Sequence, residues 1–136
     1  MMDRSMEGAR QILLARSRSC AEPKAVLVVE DDDDLREMVL DVLWSHGYAA
    51  TGAENGSDAL AQLRAAPIKP RCVLLDLFMP VMDGWQLIDQ LRADGRLDKT
   101  QIVIITSAPH RAPAGLPVFQ KPLDLDKVMT TVQRLC

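Results

Sequence analysis

A chain of 136 residues is long enough for one domain around one core and too short for two ordinary domains. Its 48% hydrophobic and 26% charged residues are the balance of a soluble globular protein, and a formal net charge of −3 supplies no electrostatic footprint for DNA or RNA. No apolar run approaches the ~20 residues that a membrane span needs.

Residues 1–23 read as an N-terminal extension, partly helical or disordered, with one helix-compatible stretch at 6–16 and no strand. The apolar run 12–15 is cut off by Arg16 and Arg18 and is too short for a secretory core. From Lys24 onward strand and helix signals alternate, which predicts a parallel sheet covered on both faces. Residues 25–29 form a branched apolar run, a buried strand. Leu35, Met38, Val39, Val42, Leu43 and His46 follow at helical spacing, and Gly47 ends that helix. Residues 48–53 are a weak second strand, and Asn55-Gly56 turns the chain into a helix carrying Ala59, Leu60 and Leu63.

Pro67 and Pro70 punctuate a loop before the third strand, 72–76. A turn over 80–84 leads into a helix over 85–92, with Leu87, Ile88 and Leu91 inward. Residues 102–106 are the fourth strand and 118–120 a short fifth. Between them Pro109, Pro113, Gly115 and Pro117 leave no uninterrupted stretch for a helix, although extended chain of that length still recrosses the sheet. Residues 124–135 close the domain as a helix with Leu125, Val128, Met129, Val132 and Leu135 on one face. Cys20, Cys72 and Cys136 are scattered and odd in number, so free thiols in a reducing cytoplasm are expected.

Polar chemistry gathers where the strands end. The first strand runs into Glu30-Asp31-Asp32-Asp33-Asp34 and the third ends in Asp76. The fourth ends in Thr106-Ser107, and the fifth runs into Lys121-Pro122. In an open α/β sheet, the crevice beyond the carboxyl ends of the strands is where ligands bind. With the first and third strands adjacent, Glu30, Asp31 and Asp76 converge there, and carboxylates so close stay ionised only around a cation. Oxygen donors with room for water suit Mg²⁺. Lys121 and the Thr106 hydroxyl then offer a positive charge and a donor to a phosphoryl group. Asp33 or Asp34 is expected to cap the following helix, with the rest of the acidic run in solvent.

The stretches Val26-Leu27-Val28-Val29-Glu30-Asp31-Asp32 and Leu74-Leu75-Asp76-Leu77-Phe78-Met79-Pro80-Val81-Met82-Asp83-Gly84, with Thr106 and Lys121-Pro122, resemble the receiver domain of response regulators. The likeness is to the CheY-like single-domain form and covers residues 24–136. It implies a flavodoxin-like, doubly wound sheet of five parallel strands in the order 2-1-3-4-5, here with the helix between strands four and five shortened or absent. It also implies that Asp76 is the phosphoacceptor. Asp31 and Asp76 would hold Mg²⁺ directly, Glu30 largely through water, and Phe78 through its backbone carbonyl. Thr106 and Lys121 would bind the phosphoryl group, with Ser107 in the place of Thr106 if the strand is shifted by one residue. The family's aromatic switch position falls on Val118. Two positions that flank the path of a hydrolytic water are Phe78 and Ala108, which implies a long-lived phosphoryl state.

The same resemblance implies a cytoplasmic signalling protein rather than an enzyme with outside substrates, catalysing only its own phosphorylation and dephosphorylation. Its partners would be a histidine kinase or histidine phosphotransfer protein and a downstream protein target, with no nucleic acid and no membrane. Leu40 and Trp44, four residues apart and off the apolar stripe of the first helix, are candidates either for that docking surface or for peripheral packing. A receiver-like docking module acting without phosphorylation is the competing reading. A flavin site is disfavoured because the acidic run would repel its phosphate. An aspartyl phosphatase needs an acid where Phe78 stands. An EF-hand loop counted from Asp31 needs glycine and glutamate where Arg36 and Val42 stand.

Overall fold

The continuous apolar runs are strands because both faces of each central strand are covered. In the computed structural model, which describes residues 24–65 and 69–136, β1 (Ala25–Val29), β2 (Ala49–Ala53), β3 (Cys72–Asp76), β4 (Gln101–Thr106) and β5 (Val118–Gln120) form one parallel sheet. Its order is β2-β1-β3-β4-β5, so the chain reverses direction across the sheet between β1 and β3. Four α-helices connect and flank the strands among the described residues: α1 (Asp33–Ser45), α2 (Gly56–Ala65), α3 (Gly84–Ala93) and α4 (Leu125–Leu135). None of these helices is long and apolar enough to cross a membrane. The expectations placed on residues 1–23 lie outside the described residues.

Alternation along each strand sorts the core into two layers. Leu27, Val29, Val73, Leu75, Ile102 and Ile104 point to one face and pack with Ala59, Leu60 and Leu63 of α2 and Leu87, Ile88 and Leu91 of α3. Val26, Val28, Leu74 and Val103 point to the other, against Val39, Leu40 and Leu43 of α1 and Val128, Met129 and Val132 of α4. Between β4 and β5 no α-helix forms. A single 3-10 turn, Pro109–Arg111, stands there, and Ala112 and Leu116 of the same connection pack on the α2/α3 layer. A second 3-10 turn, Arg96–Asp98, follows α3.

Four sequence expectations are corrected. The buried stripe of α1 is Val39, Leu40 and Leu43, whereas Met38 and His46 are exposed. Leu40 turns inward because Gly52 lies opposite: a Cβ there would stand 3.3 Å from Leu40 Cδ1. Second, Asp32 rather than Asp33 or Asp34 caps α1, its side chain accepting the Leu35 amide at 3.1 Å. Third, Cys72 and Cys136 are bonded to each other, because the start of β3 lies against the end of α4 and brings their Cα atoms to 6.1 Å. Their separation of 64 residues conceals this in the sequence. Finally, Trp85 lies inside α3, which begins one residue earlier, at Gly84.

Candidate phosphoacceptor and metal site

The parallel order places the carboxyl ends of β1 and β3 side by side, where the chain's direction reverses across the sheet. Asp76 is the last residue of β3 and Glu30 the first after β1, and both are buried. Asp31 is exposed at the same rim, and ligand atoms of Glu30, Asp31 and Asp76 all lie within 4.8 Å of one another. Hydrogen bonds that involve the backbone hold the two buried groups. The Glu30 amide donates to Ala53 O at 3.0 Å, and Arg36 donates to Glu30 O at 2.7 Å. The amide of Phe78 donates to Asp76 Oδ1 at 3.3 Å.

Lys121 reaches the cluster from the far side. Its amide donates to Thr106 O at 2.9 Å, which fixes the end of β5 against β4, and its Nζ stands 2.6 Å from Glu30 Oε1 and 3.2 Å from Asp76 Oδ2. Burial raises the Glu30 carboxyl to about 7, opposed by Lys121 and the Asp32 amide and reinforced by repulsion from Asp76. Burial also raises Asp76, against the pull of Lys121. Lys121 sits above its ordinary value: desolvation works to lower it, but the two carboxylates together outweigh that.

The loop after β3 closes tightly. Gly84 N donates to Leu77 O at 2.9 Å, and a Cβ on Gly84 would lie 2.6 Å from Asp76 O and 2.8 Å from Leu77 Cα. Only glycine permits that approach, so the Asp83-Gly84 step both caps α3 and seats the backbone of Asp76. Asp83 and Gln86 form a reciprocal capping box at that helix start. Thr106, fully buried, accepts the Ala108 amide on Oγ1 at 3.1 Å. Its neighbour Ser107 is exposed.

All-oxygen donors from Glu30, Asp31 and Asp76, faced by one lysine, are a hard set that fits Mg²⁺. The family model described as the response regulator receiver domain matches residues 26–133. The chain belongs to the response regulator receiver domain family. Among its relatives, the response regulator MprA of Mycolicibacterium vanbaalenii is 33% identical over 121 residues, covering 83% of this chain and 50% of MprA. The chain thus spans about half the length of that relative. Among solved structures, the chemotaxis response regulator CheY4 of Vibrio cholerae superposes with a TM-score of 0.73 at 27% identity, covering 85% of this chain and 100% of CheY4. TrrA of Thermotoga maritima, a response regulator solved in complex with Mg(2+)-BeF, gives a TM-score of 0.73 at 26% identity, covering 83% of this chain and 99% of TrrA.

Other positions singled out in the sequence fall in varied places on the receiver fold. Val118 is half-buried against the α2/α3 layer, and Phe119, one residue on, packs toward the α1/α4 layer. Leu40 is 8% exposed and belongs to the core, so it offers no docking surface. Trp44 is 53% exposed, with its indole N–H donating to Ala50 O at 2.9 Å. Sequence reasoning missed a cluster beside the site. The rings of Phe78 and Trp85 meet edge-on with centroids 5.1 Å apart, and the Arg111 guanidinium lies over both. Nothing in the spacing of these three residues announces it, because Arg111 comes from the irregular connection before β5.

Proposed function

We propose that this receiver accepts a phosphoryl group on Asp76 from a histidine kinase or histidine phosphotransfer protein and signals through protein contacts. The observation that carries the reading is the position of Lys121 Nζ, 3.2 Å from Asp76 Oδ2 and 2.6 Å from Glu30 Oε1, at the strand-end crevice. One Asp76 oxygen attacks the phosphorus, an O–P bond forms, and the P–N bond of the donor histidine breaks. The Phe78 amide and Lys121 hold the carboxylate oriented for that attack. Lys121 then pairs with the phosphoryl oxygens, and Thr106 supplies a hydroxyl to them.

Asp31, Asp76 and the Phe78 carbonyl would hold Mg²⁺, with Glu30 acting largely through water. The ion would supply positive charge opposite the transferring oxygens. Hydrolysis of the resulting acyl phosphate is the chain's own return step and not turnover of an outside substrate. The location proposed is cytoplasmic. Trp44 remains a candidate contact for the phosphodonor.

Labelling with acetyl phosphate and Mg²⁺ tests the assignment. Acid-labile phosphate is expected on the parent and on Asp32→Asn, and none on Asp76→Asn. Labelled Asp76→Asn would refute Asp76 as acceptor, and an unlabelled parent would favour a docking module that works without phosphorylation.

A further inference from the structure

We infer that Arg111 is a positioning residue for the phosphorylation site, fixing Phe78 and thereby setting the lifetime of the phosphoryl group; the inference rests on the assignment of Asp76 as phosphoacceptor. The Arg111 guanidinium carbon lies 5.4 Å from the Phe78 ring centroid and 5.2 Å from that of Trp85. The backbone completes the clasp, because Trp85 Nε1 donates to Arg111 O at 3.3 Å. Cation, indole and phenyl ring therefore hold one another.

Both ends of the clasp lead to the reacting groups. Phe78 is two residues beyond Asp76, and its own amide bonds the Asp76 carboxylate at 3.3 Å. Arg111 is tied through its amide to Ala108 O at 3.0 Å, and the Ala108 amide is bonded to Thr106 Oγ1 at 3.1 Å. A continuous path thus runs from the Thr106 hydroxyl through the 3-10 turn and the Arg111 side chain to Phe78 and Asp76. Phe78 is 40% exposed, so packing in the core does not fix its ring. The contacts with Trp85 and Arg111 do.

Loss of the phosphoryl group requires water to attack phosphorus while the bond to the Asp76 oxygen breaks, releasing inorganic phosphate and the carboxylate. On this inference Phe78, whose amide is bonded to the Asp76 carboxylate, restricts that approach when its ring is fixed and not when the ring is released from its cation. Two cation–π contacts at a partly exposed site are enough to change the fraction of time the ring is in place by about three- to tenfold.

The test is a double-mutant cycle on the full chain, labelled with acetyl phosphate and Mg²⁺, with the half-life of acid-labile phosphate as the reading. Arg111→Gln is expected to shorten the half-life about three- to tenfold and to have no further effect in a Phe78→Ala background. An unchanged half-life in Arg111→Gln, or the same shortening with and without Phe78, overturns the inference. A spectroscopic reading accompanies it: in Trp44→Phe protein, where Trp85 is the remaining indole, Arg111→Gln should change the Trp85 emission before any phosphorylation. A faster loss with unchanged emission would also overturn the clasp. A parent that takes no label fails differently, since it removes the phosphoacceptor reading itself and this inference with it.

Discussion

Lys121 and Glu30 form an ion pair at 2.6 Å in which the carboxylate is 1% exposed and the lysine also reaches Asp76. One cation thus offsets two buried negative charges, and removing it leaves both without a counter-charge. Lys121→Met should cost about 3 kcal/mol in metal-free buffer, the scale for breaking a buried pair by removing one partner. Millimolar Mg²⁺ should restore part of the loss. Urea unfolding with chelator and with Mg²⁺ measures both, and a variant as stable as the parent in chelator would show that the pair has no structural weight.

The same burial predicts a pH dependence. Glu30 stands at about 7 in the folded chain against an ordinary 4.5. A carboxyl raised on folding holds its proton more tightly in the native state. Its contribution to stability is therefore complete below 4.5 and is lost as pH rises through 7. Asp76 is raised too and adds in the same direction, while Lys121, raised from 10.5, titrates above this window. Without metal, stability should fall by on the order of 2 kcal/mol between about pH 5 and about pH 8. Saturating Mg²⁺, which requires the ionised carboxylates, should flatten or reverse the trend. Unfolding midpoints that rise with pH in chelator would contradict the assignment.

Gly84→Ala should damage stability and labelling together. The added methyl would meet backbone atoms, Asp76 O at 2.6 Å and Leu77 Cα at 2.8 Å, which cannot swing aside as a flexible side chain would. The expected cost is about 2–3 kcal/mol, the range of overpacking that shifts the backbone. Because that shift falls on Asp76 itself, the rate of labelling by acetyl phosphate should drop under conditions where the variant is still folded. A destabilised variant that labels at the parental rate would separate the loop's packing from its chemistry.

Val81 predicts the opposite sign. It is 80% exposed and has φ of 71°, a left-handed conformation that a β-branched side chain adopts only under strain. Val81→Gly should raise stability by about 1 kcal/mol, the relief of strain exceeding the extra freedom that glycine gives the unfolded chain. The urea midpoint should rise with an unchanged slope. A lower midpoint would mean that contacts of the Val81 side chain outweigh its backbone strain.

What was readable in the sequence depended on how local its cause is. The strands were legible because burial on both faces makes them continuous apolar runs, and the acidic cluster because its residues immediately follow or end those runs. The position of Leu40 was not legible, since it depends on Gly52 across the packing of α1 on β2. Four successive aspartates gave no local reason to choose Asp32 as the cap. The Cys72–Cys136 bond and the Arg111 clasp join segments far apart in the chain, and each needs the completed sheet to bring its members together. Prolines marked the absence of a helix before β5 but could not say what would hold that connection in place.

The connection 107–117 is also where the phosphoryl state should be read out. Its internal hydrogen bonds are few and short-range: Ala108 N to Thr106 Oγ1 at 3.1 Å, Arg111 N to Ala108 O at 3.0 Å, and Ala112 N to Pro109 O at 3.1 Å. The first of these uses the hydroxyl proposed to meet the phosphoryl oxygens. Turning Thr106 toward that group weakens its bond to Ala108 and loosens the backbone of the Pro109–Arg111 turn, while the Arg111 side chain keeps its place over Phe78 and Trp85. No aromatic side chain need rotate, because Val118 fills that position. Hydrogen exchange with and without beryllofluoride and Mg²⁺ is expected to change several-fold or more at the amides of Ala108, Arg111 and Ala112 and at the start of α4. The amides of β1 and β3 should stay as slow as before, since both strands are buried at the centre of the sheet. Saturating beryllofluoride that leaves 107–117 unchanged would show that the phosphoryl state is reported from another part of the surface.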